Sequence, residues 1–259
     1  MPRLEVCAVS KRFGGVQALA DVSFTVETGR ITGLIGPNGA GKTTLFHVIC
    51  GFLASDAGEI RLDGQRIDTL PPHRVARLGV GRTFQDLKLF RRLSVLDNVL
   101  LGFLDEPAER LGRALLRGQP PLRRAARERQ AREVLDQVRL RDQGDVPADR
   151  LSYGEQKLLA IARVLAADAR LVLLDEPVAG LPADMIDGIL AIIRGLVARG
   201  RTVLLVDHNM EAVMGVSDWV VALDHGRLII AGSPEAVRAD PTVIATYLGT
   251  TLGSPRTPA

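Results

Sequence analysis

Hydrophobic positions along the chain fall into short runs with two different periods. Near the start, Leu4 to Val9 and Val22 to Val26 read as strands parted by Gly14-Gly15, and Ile31 to Ile35 reads as a third. Gly58 to Gly64 alternates with a period of two and closes on Asp63-Gly64, a tight-turn signal. Leu171 to Leu174 is wholly apolar and Thr202 to Val206 nearly so, the pattern of parallel strands buried on both faces. Between those two runs Met185, Ile189, Ile192, Ile193 and Leu196 recur at helical spacing. Trp219 to Leu223 and Leu228 to Ala231 flank Asp224-His225-Gly226, which predicts a hairpin. From Leu87 to Arg150 strand-like runs stop and arginine and alanine dominate. Val134, Leu135 and Val138 mark a helix within Arg124 to Leu140, and Gly118-Gln119-Pro120-Pro121 predicts a helix, a loop and a second helix. The stretch after Gly249, rich in Thr, Gly, Ser and Pro, is expected to be disordered. The pattern is α/β alternation on both sides of a helical insertion, without internal repeats.

Composition sets limits on that picture. The chain has 259 residues and is 46% hydrophobic, enough for one large α/β domain. Aromatics are only 4%, so the core is expected to be Leu, Val, Ile and Ala. The net charge of +3 is nearly balanced, and Lys11, Lys42, Lys88 and Lys157 are the only lysines. Such a balance gives little support for nucleic acid or anionic lipid as partner. Ten arginines lie between Arg110 and Arg141, interleaved with Glu128, Glu133 and Asp136, and predict a solvated, salt-bridged helical surface. Cys7 and Cys50 have neither metal-ligand spacing nor a disulfide framework, which suits a reducing compartment. No signal peptide and no run of about 18 apolar residues is visible, so any membrane role is expected to run through a partner.

One segment carries explicit chemistry. Gly36-Pro37-Asn38-Gly39-Ala40-Gly41-Lys42-Thr43 fits G-x-x-x-x-G-K-[ST], between the strand Ile31 to Ile35 and a helix running on through Thr44. Glycines let such a loop turn tightly and aim backbone N–H groups inward, and the following helix start adds partial positive charge. Lys42 would reach the β- and γ-phosphates of a nucleotide, and the Thr43 hydroxyl would ligate Mg²⁺.

Other inferred strand ends carry functional side chains. Gly81 to Phe84 is read as a strand ending at Gln85, Leu171 to Leu174 ends at Asp175-Glu176, and Thr202 to Val206 ends at Asp207-His208. Ligands of open α/β sheets bind at the carboxyl ends of strands, so these tips are expected to converge on one nucleotide. Asp175 suits Mg²⁺ and Glu176 suits polarising a water, although an acidic pair can also simply begin a turn. His208 could donate to a γ-phosphate oxygen or merely precede a helix. Gln85 gains weight only from its neighbours. Leu151-Ser152-Tyr153-Gly154-Glu155-Gln156 contains S-x-x-E, a capping box, and a helix start is also an anion site where Ser152 and the Gly154 N–H could meet a phosphate.

Taken together, these motifs resemble the ATP-binding subunits of ABC transporters over nearly the whole chain, Leu4 to Gly249. A Walker A at Gly36 to Thr44, a Q-loop at Gln85, a signature at Leu151 to Gln156, a Walker B at Leu171 to Asp175 and a switch histidine at His208 occur in the family's order. The resemblance implies a P-loop NTPase (RecA-like) α/β core with an antiparallel β subdomain and an inserted α-helical subdomain. The core would be 1–86 and 166–240, the helical part 87–165 with an insert at 103–132, and the tail 250–259. It implies ATP and Mg²⁺ as cofactors, Glu176 as general base, His208 on the γ-phosphate, Gln85 sensing Mg²⁺ and water, and Asp175 and Thr43 at the metal. Phe13 falls where the family stacks an aromatic on adenine, with a core position as the alternative. Each ATP would lie between the Walker A of one subunit and Ser152 and Gly154 of a second ABC ATPase subunit, in a homo- or heterodimer.

Two membrane permease subunits, docking on the segment after Gln85, and indirectly a periplasmic solute-binding protein are the implied partners. No nucleic acid is expected, and the implied location is the cytoplasmic face of the cell membrane. Tyr153 replaces the family's usual glycine and Pro182 its usual D-loop aspartate, which puts communication through that aspartate in doubt. Gly79 to Gln85, Phe90 to Gly102, the long insert and Ala245-Thr246-Tyr247-Leu248-Gly249 look like the LivG-type subunits of branched-chain amino acid importers. Urea and amide importers and lipopolysaccharide exporters are the rivals within the family, and soluble ABC-type ATPases acting on DNA or ribosomes the rival outside transport.

Overall fold

The computed structural model describes residues 2–103 and 121–252. Two sheets form the scaffold. β1 (Pro2–Phe13) and β2 (Val16–Glu27) make an antiparallel hairpin turning at Gly14-Gly15. β4 (Ala57–Leu62) pairs with the other edge of β1, and β5 (Gln65–Arg66) follows across the Asp63-Gly64 turn, giving the order β2-β1-β4-β5.

The second sheet has the order β10-β9-β3-β8-β7-β6. β3 (Ile31–Ile35), β6 (Val80–Arg82), β7 (Leu171–Asp175), β8 (Thr202–Val206) and β9 (Trp219–Asp224) are parallel, and β10 (Arg227–Gly232) returns antiparallel as a hairpin edge. β3, β7 and β8 are buried at every residue, as their apolar composition requires. One face of this sheet packs with the first sheet around α1 (Lys42–Ile49), where Phe46, Leu45 and Ile49 are fully enclosed. The other face carries the larger cluster, including Leu135, Leu159, Ile193 and Val213.

α2 (Pro72–Arg77) leads into β6. Between β6 and β7 the regular elements among the described residues are helical, joined by loops and one isolated bridge between Ser94 and Pro147. α3 (Val95–Leu100) is capped by Ser94, whose hydroxyl accepts from the Asp97 N–H at 3.0 Å. α4 (Pro121–Gln137) opens on Pro121, the last residue of the predicted break, at a position where the missing N–H costs nothing. It ends before the expected Leu140 because Arg139 turns left-handed at φ +60°. Ala131, Leu135 and Val138 face the core. Two ion pairs on its surface, Arg132–Asp145 and Arg141–Asp136, are 3.7 Å long and exposed, worth little. Ahead of the Gly118 break, where a first helix is expected, α3 is the helix among the described residues, and residues 104–120 lie outside them.

α5 (Tyr153–Ala166), α6 (Ala183–Ala198) and α7 (Met210–Val216) complete the alternation with β7, β8 and β9. α6 buries Ile189, Ile192, Ile193 and Leu196, as its periodicity predicts, with Met185 half-buried. α8 (Pro234–Ala239) and α9 (Pro241–Leu252) end the described chain. α9 thus runs three residues into the stretch expected to be a disordered tail. Thr250, Thr251 and Leu252 extend a helix already nucleated, and residues 253–259 lie outside the described residues.

Candidate nucleotide site

Because β3, β8, β7 and β6 are adjacent and parallel, their carboxyl ends share one edge of the sheet. The phosphate loop leaves β3 and enters α1. Gly41 caps that helix at φ +99° without any side-chain cap, and a Cβ there would lie 2.5 Å from the Ala18 carbonyl oxygen, so only glycine fits. An uncapped helix start leaves backbone N–H groups free for an anion. Pro37, Asn38, Gly39, Ala40, Thr43 and Thr44 complete the loop and the first turn. Lys42 is 7% exposed and donates to the carbonyls of Gly36 (2.6 Å) and Pro37 (2.9 Å). Burial pulls the Lys42 ammonium below its ordinary range, and the nearby Glu176 and Asp175 carboxylates oppose that shift.

Glu176 stands at the centre of the remaining predicted residues. Its Oε1 is 2.8 Å from His208 Nε2, and its Oε2 accepts from Gln85 Nε2 at 3.2 Å. Glu176 has φ +52°, a left-handed conformation in which a non-glycine residue is strained. The Glu176 N–H donates to Val206 O at 2.7 Å, continuing the ladder between β7 and β8. Gln85 corrects the sequence reading in one detail. β6 stops at Arg82, so Gln85 follows three residues beyond the strand and not at its tip. The Asp175 N–H, which would continue the ladder toward β6, is taken by the Thr83 hydroxyl at 3.0 Å.

Asp175 is not free. Its Oδ2 accepts from Arg82 Nη2 at 2.7 Å, and the two side chains are 7% and 5% exposed. Arg82 lies between the rings of Phe46 and Phe84, with centroids at 5.3 and 5.2 Å. Sequence reasoning passed over this residue. The available signal was a charged side chain inside a short strand next to the one ending in Asp175.

Two predicted residues stand apart from this cluster. Ser152 caps α5 in a full capping box: its hydroxyl accepts from the Glu155 N–H at 3.3 Å and donates to Glu155 Oε2 at 2.7 Å, and the Ser152 N–H donates to the same oxygen. Its hydroxyl proton is therefore committed, contrary to the expectation of a free group. Gly154 is buried against Met185 and Leu181. Neither contact set includes the phosphate loop. Phe13 closes β1 at 47% exposure with Lys11 Nζ 5.8 Å from its ring centroid, so the core alternative for it is wrong.

A glycine loop from a parallel strand into an uncapped helix, facing an Asp-Glu strand end, defines a P-loop nucleoside triphosphatase. The ABC transporter family model matches residues 19–179. The chain belongs to the ABC transporter family, as an ATPase that couples ATP hydrolysis to transport. It is 40% identical over 254 residues to the high-affinity branched-chain amino acid transport ATP-binding protein BraF of Pseudomonas aeruginosa, covering 96% of this chain and 98% of BraF. LivG of Escherichia coli, of the same description, is 38% identical over 253 residues with the same coverage. The lipopolysaccharide export system ATP-binding protein LptB of Escherichia coli is 38% identical over 250 residues, again 96% and 98%. The crystal structure of a nucleotide-free ATP-binding cassette from an ABC transporter superposes with a TM-score of 0.84 at 30% identity, covering 95% of this chain and 99% of that one. No helix among the described residues is long and apolar enough to cross a membrane.

Proposed function

We propose that this chain is the ATP-hydrolysing motor of an importer for branched-chain or related hydrophobic amino acids, working as one half of an ATPase dimer against membrane permeases. The observation that supports the mechanism best is the convergence of Gln85 and His208 on Glu176, beside Lys42 and Asp175. Glu176 accepts the proton of the water that attacks the γ-phosphorus. The bond to the β–γ bridging oxygen breaks, ADP leaves, and the proton passes on to phosphate or solvent. Lys42 exchanges its two loop carbonyls for phosphate oxygens, and His208 turns from Glu176 toward the γ-phosphate. Phe13, exposed at the end of its hairpin, stacks on adenine.

The donor set suits Mg²⁺. Among the described residues no three His, Cys, Asp or Glu gather into a cage, and a hard ion that keeps waters and phosphates as ligands needs only one or two protein oxygens. Thr43 and the amide oxygen of Gln85 would hold it, with Asp175, whose Oδ2 accepts from Arg82, acting through a water, and when bound it would neutralise phosphate charge. Ser152 and Gly154, apart from their own phosphate loop, serve the nucleotide of a facing subunit, homologous or identical. A groove of about 320 Å³ lined by Phe52, Phe84, Leu87, Leu101 and Arg163 offers the permeases a docking site beyond Gln85. A periplasmic solute-binding protein selects the cargo. Domain limits of 1–86 with 166–240 for the core, and 87–165 for the helical part, follow the same reading.

Amino acid import is preferred on BraF and LivG. Lipopolysaccharide export is the second reading, favoured by the similarity to LptB. Glu176→Gln is the test of the motor: it should stop turnover and trap an ATP-bound dimer, and unchanged turnover refutes the assignment of the base. Leucine uptake restored to an importer-deficient strain by this chain and its permeases supports the cargo class, and failure there with restored lipopolysaccharide export supports the rival.

A further inference from the structure

The two departures from the family pattern, Tyr153 and Pro182, lie on opposite sides of one small cluster. α5 starts at Tyr153 and carries Lys157 one turn later on the same face. Lys157 is 6% exposed, and its ammonium donates to the main-chain carbonyl of Glu176. The same ammonium lies 5.1 Å from the centroid of the Tyr153 ring. Tyr153 also borders the loop that follows Glu176: a Cβ on Gly180 would lie 3.4 Å from Tyr153 Cε1. That loop ends at Pro182, which caps α6 without a side-chain hydrogen bond and so offers no polar group for signalling. Burial lowers the affinity of Lys157 for its proton, and the Asp207 and Glu176 carboxylates oppose that loss and favour the charged form.

We infer that Lys157 is a positioning residue that ties the signature helix to the strained Glu176 peptide, with Tyr153 holding its ammonium in place, so that a nucleotide engaged by the signature in one site sets the base of the other. This rests on the reading of Glu176 as general base and of Ser152 and Gly154 as contacts to the facing subunit's ATP. Glu176 is held left-handed by its N–H to Val206 and by its carbonyl to Lys157, with a longer third bond of 3.4 Å from the Ala179 N–H to the same carbonyl. The first belongs to the sheet and is fixed. The second belongs to α5 and moves with it, so a shift of the signature helix alters the direction of the Glu176 carboxylate. Pro182 leaves this route in place where an aspartate route is missing.

The test uses the full chain in its assembled transporter. Lys157→Met should lower kcat about tenfold or more, the scale of a small misplacement of a reacting group, with KM for ATP within about twofold. ATP-driven dimer formation in a Glu176→Gln background should persist in Lys157→Met, since the signature still meets the nucleotide. Lys157→Arg should recover most of kcat, Tyr153→Phe should match the parent, and Tyr153→Leu should fall between. Loss of ATP binding in step with kcat, or no rescue by arginine, overturns the inference. If Lys157→Met fails to fold, Tyr153→Leu decides, because Tyr153 is half exposed: an unchanged kcat there overturns it. Turnover surviving Glu176→Gln alone would sink the underlying assignment, whereas a dead Glu176→Gln beside a fully active Lys157→Met would sink only the coupling.

Discussion

Replacing Arg82 by methionine tests the buried pair that sequence reading missed. Arg82 Nη2 and Asp175 Oδ2 are 2.7 Å apart, and both side chains are almost entirely enclosed. At an effective dielectric of about 20, unit charges about 4 Å apart, the scale between guanidinium and carboxylate centres, attract by roughly 4 kcal/mol. Methionine keeps a similar apolar volume between Phe46 and Phe84 but strands the Asp175 carboxylate. Breaking a buried pair on one side costs about 3–5 kcal/mol. With a urea dependence of about 3 kcal/mol/M, the unfolding midpoint should fall by about 1–1.7 M. Neutralising both partners removes the stranded charge, so Arg82→Met combined with Asp175→Asn should regain about half of that loss or more. The assay is equilibrium urea unfolding of parent, both single variants and the double variant, followed by circular dichroism and tryptophan fluorescence at Trp219. A cost under about 1 kcal/mol for Arg82→Met, or a double variant no more stable than the single, refutes the view that the pair is a buried charge interaction.

Two further outcomes follow from the same edge of the sheet. Thr83→Val leaves the Asp175 N–H without its acceptor and should destabilise by about 1–3 kcal/mol, with Thr83→Ser close to the parent, read by thermal unfolding. Burial pushes the Cys50 thiol up to about 11, so at pH 8 about 0.1% is thiolate; Cys50 should resist alkylation in the folded chain and react on unfolding, followed by mass spectrometry.

Periodicity made the two sheets legible because each strand's burial follows directly from its apolar positions. β3, β7 and β8 are bounded within a residue of where their runs suggest. The end of β6 was not legible. Its last ladder position is decided by the Thr83 hydroxyl taking the Asp175 N–H, a tertiary contact across 92 residues. The bounds of α3 were not legible although Ser94 and Asp97 form its cap, because its buried polar residue, Asn98, breaks the apolar pattern. That side chain is fully enclosed and binds the Phe90 and Ser94 carbonyls, which no periodicity reports. The candidate site was legible where a motif fixes backbone geometry, as at Gly41. It was not legible where a side chain's state depends on a partner far in sequence. Arg82 at Asp175 and Lys157 at Glu176 are such cases, and so is the choice between an exposed and a buried Phe13.

The two helix starts that read alike in sequence differ physically, and the difference orders the events at the site. α1 begins at a glycine with no cap, so its N–H groups receive phosphate without losing a partner. α5 begins inside a closed capping box, and its Ser152 hydroxyl must leave Glu155 before it can donate to a phosphate. The bond given up is itself a hydrogen bond to a carboxylate, and its phosphate replacement is of the same class, each about 1.5–3 kcal/mol, so the exchange is close to even. A chain with no phosphate at α5 therefore keeps the box shut. On the dimer reading, the loop of α1 loads first and the signature engages only when a facing subunit delivers the nucleotide. A near-even exchange also makes that engagement reversible once the γ-phosphate is gone, as a motor that must reopen requires.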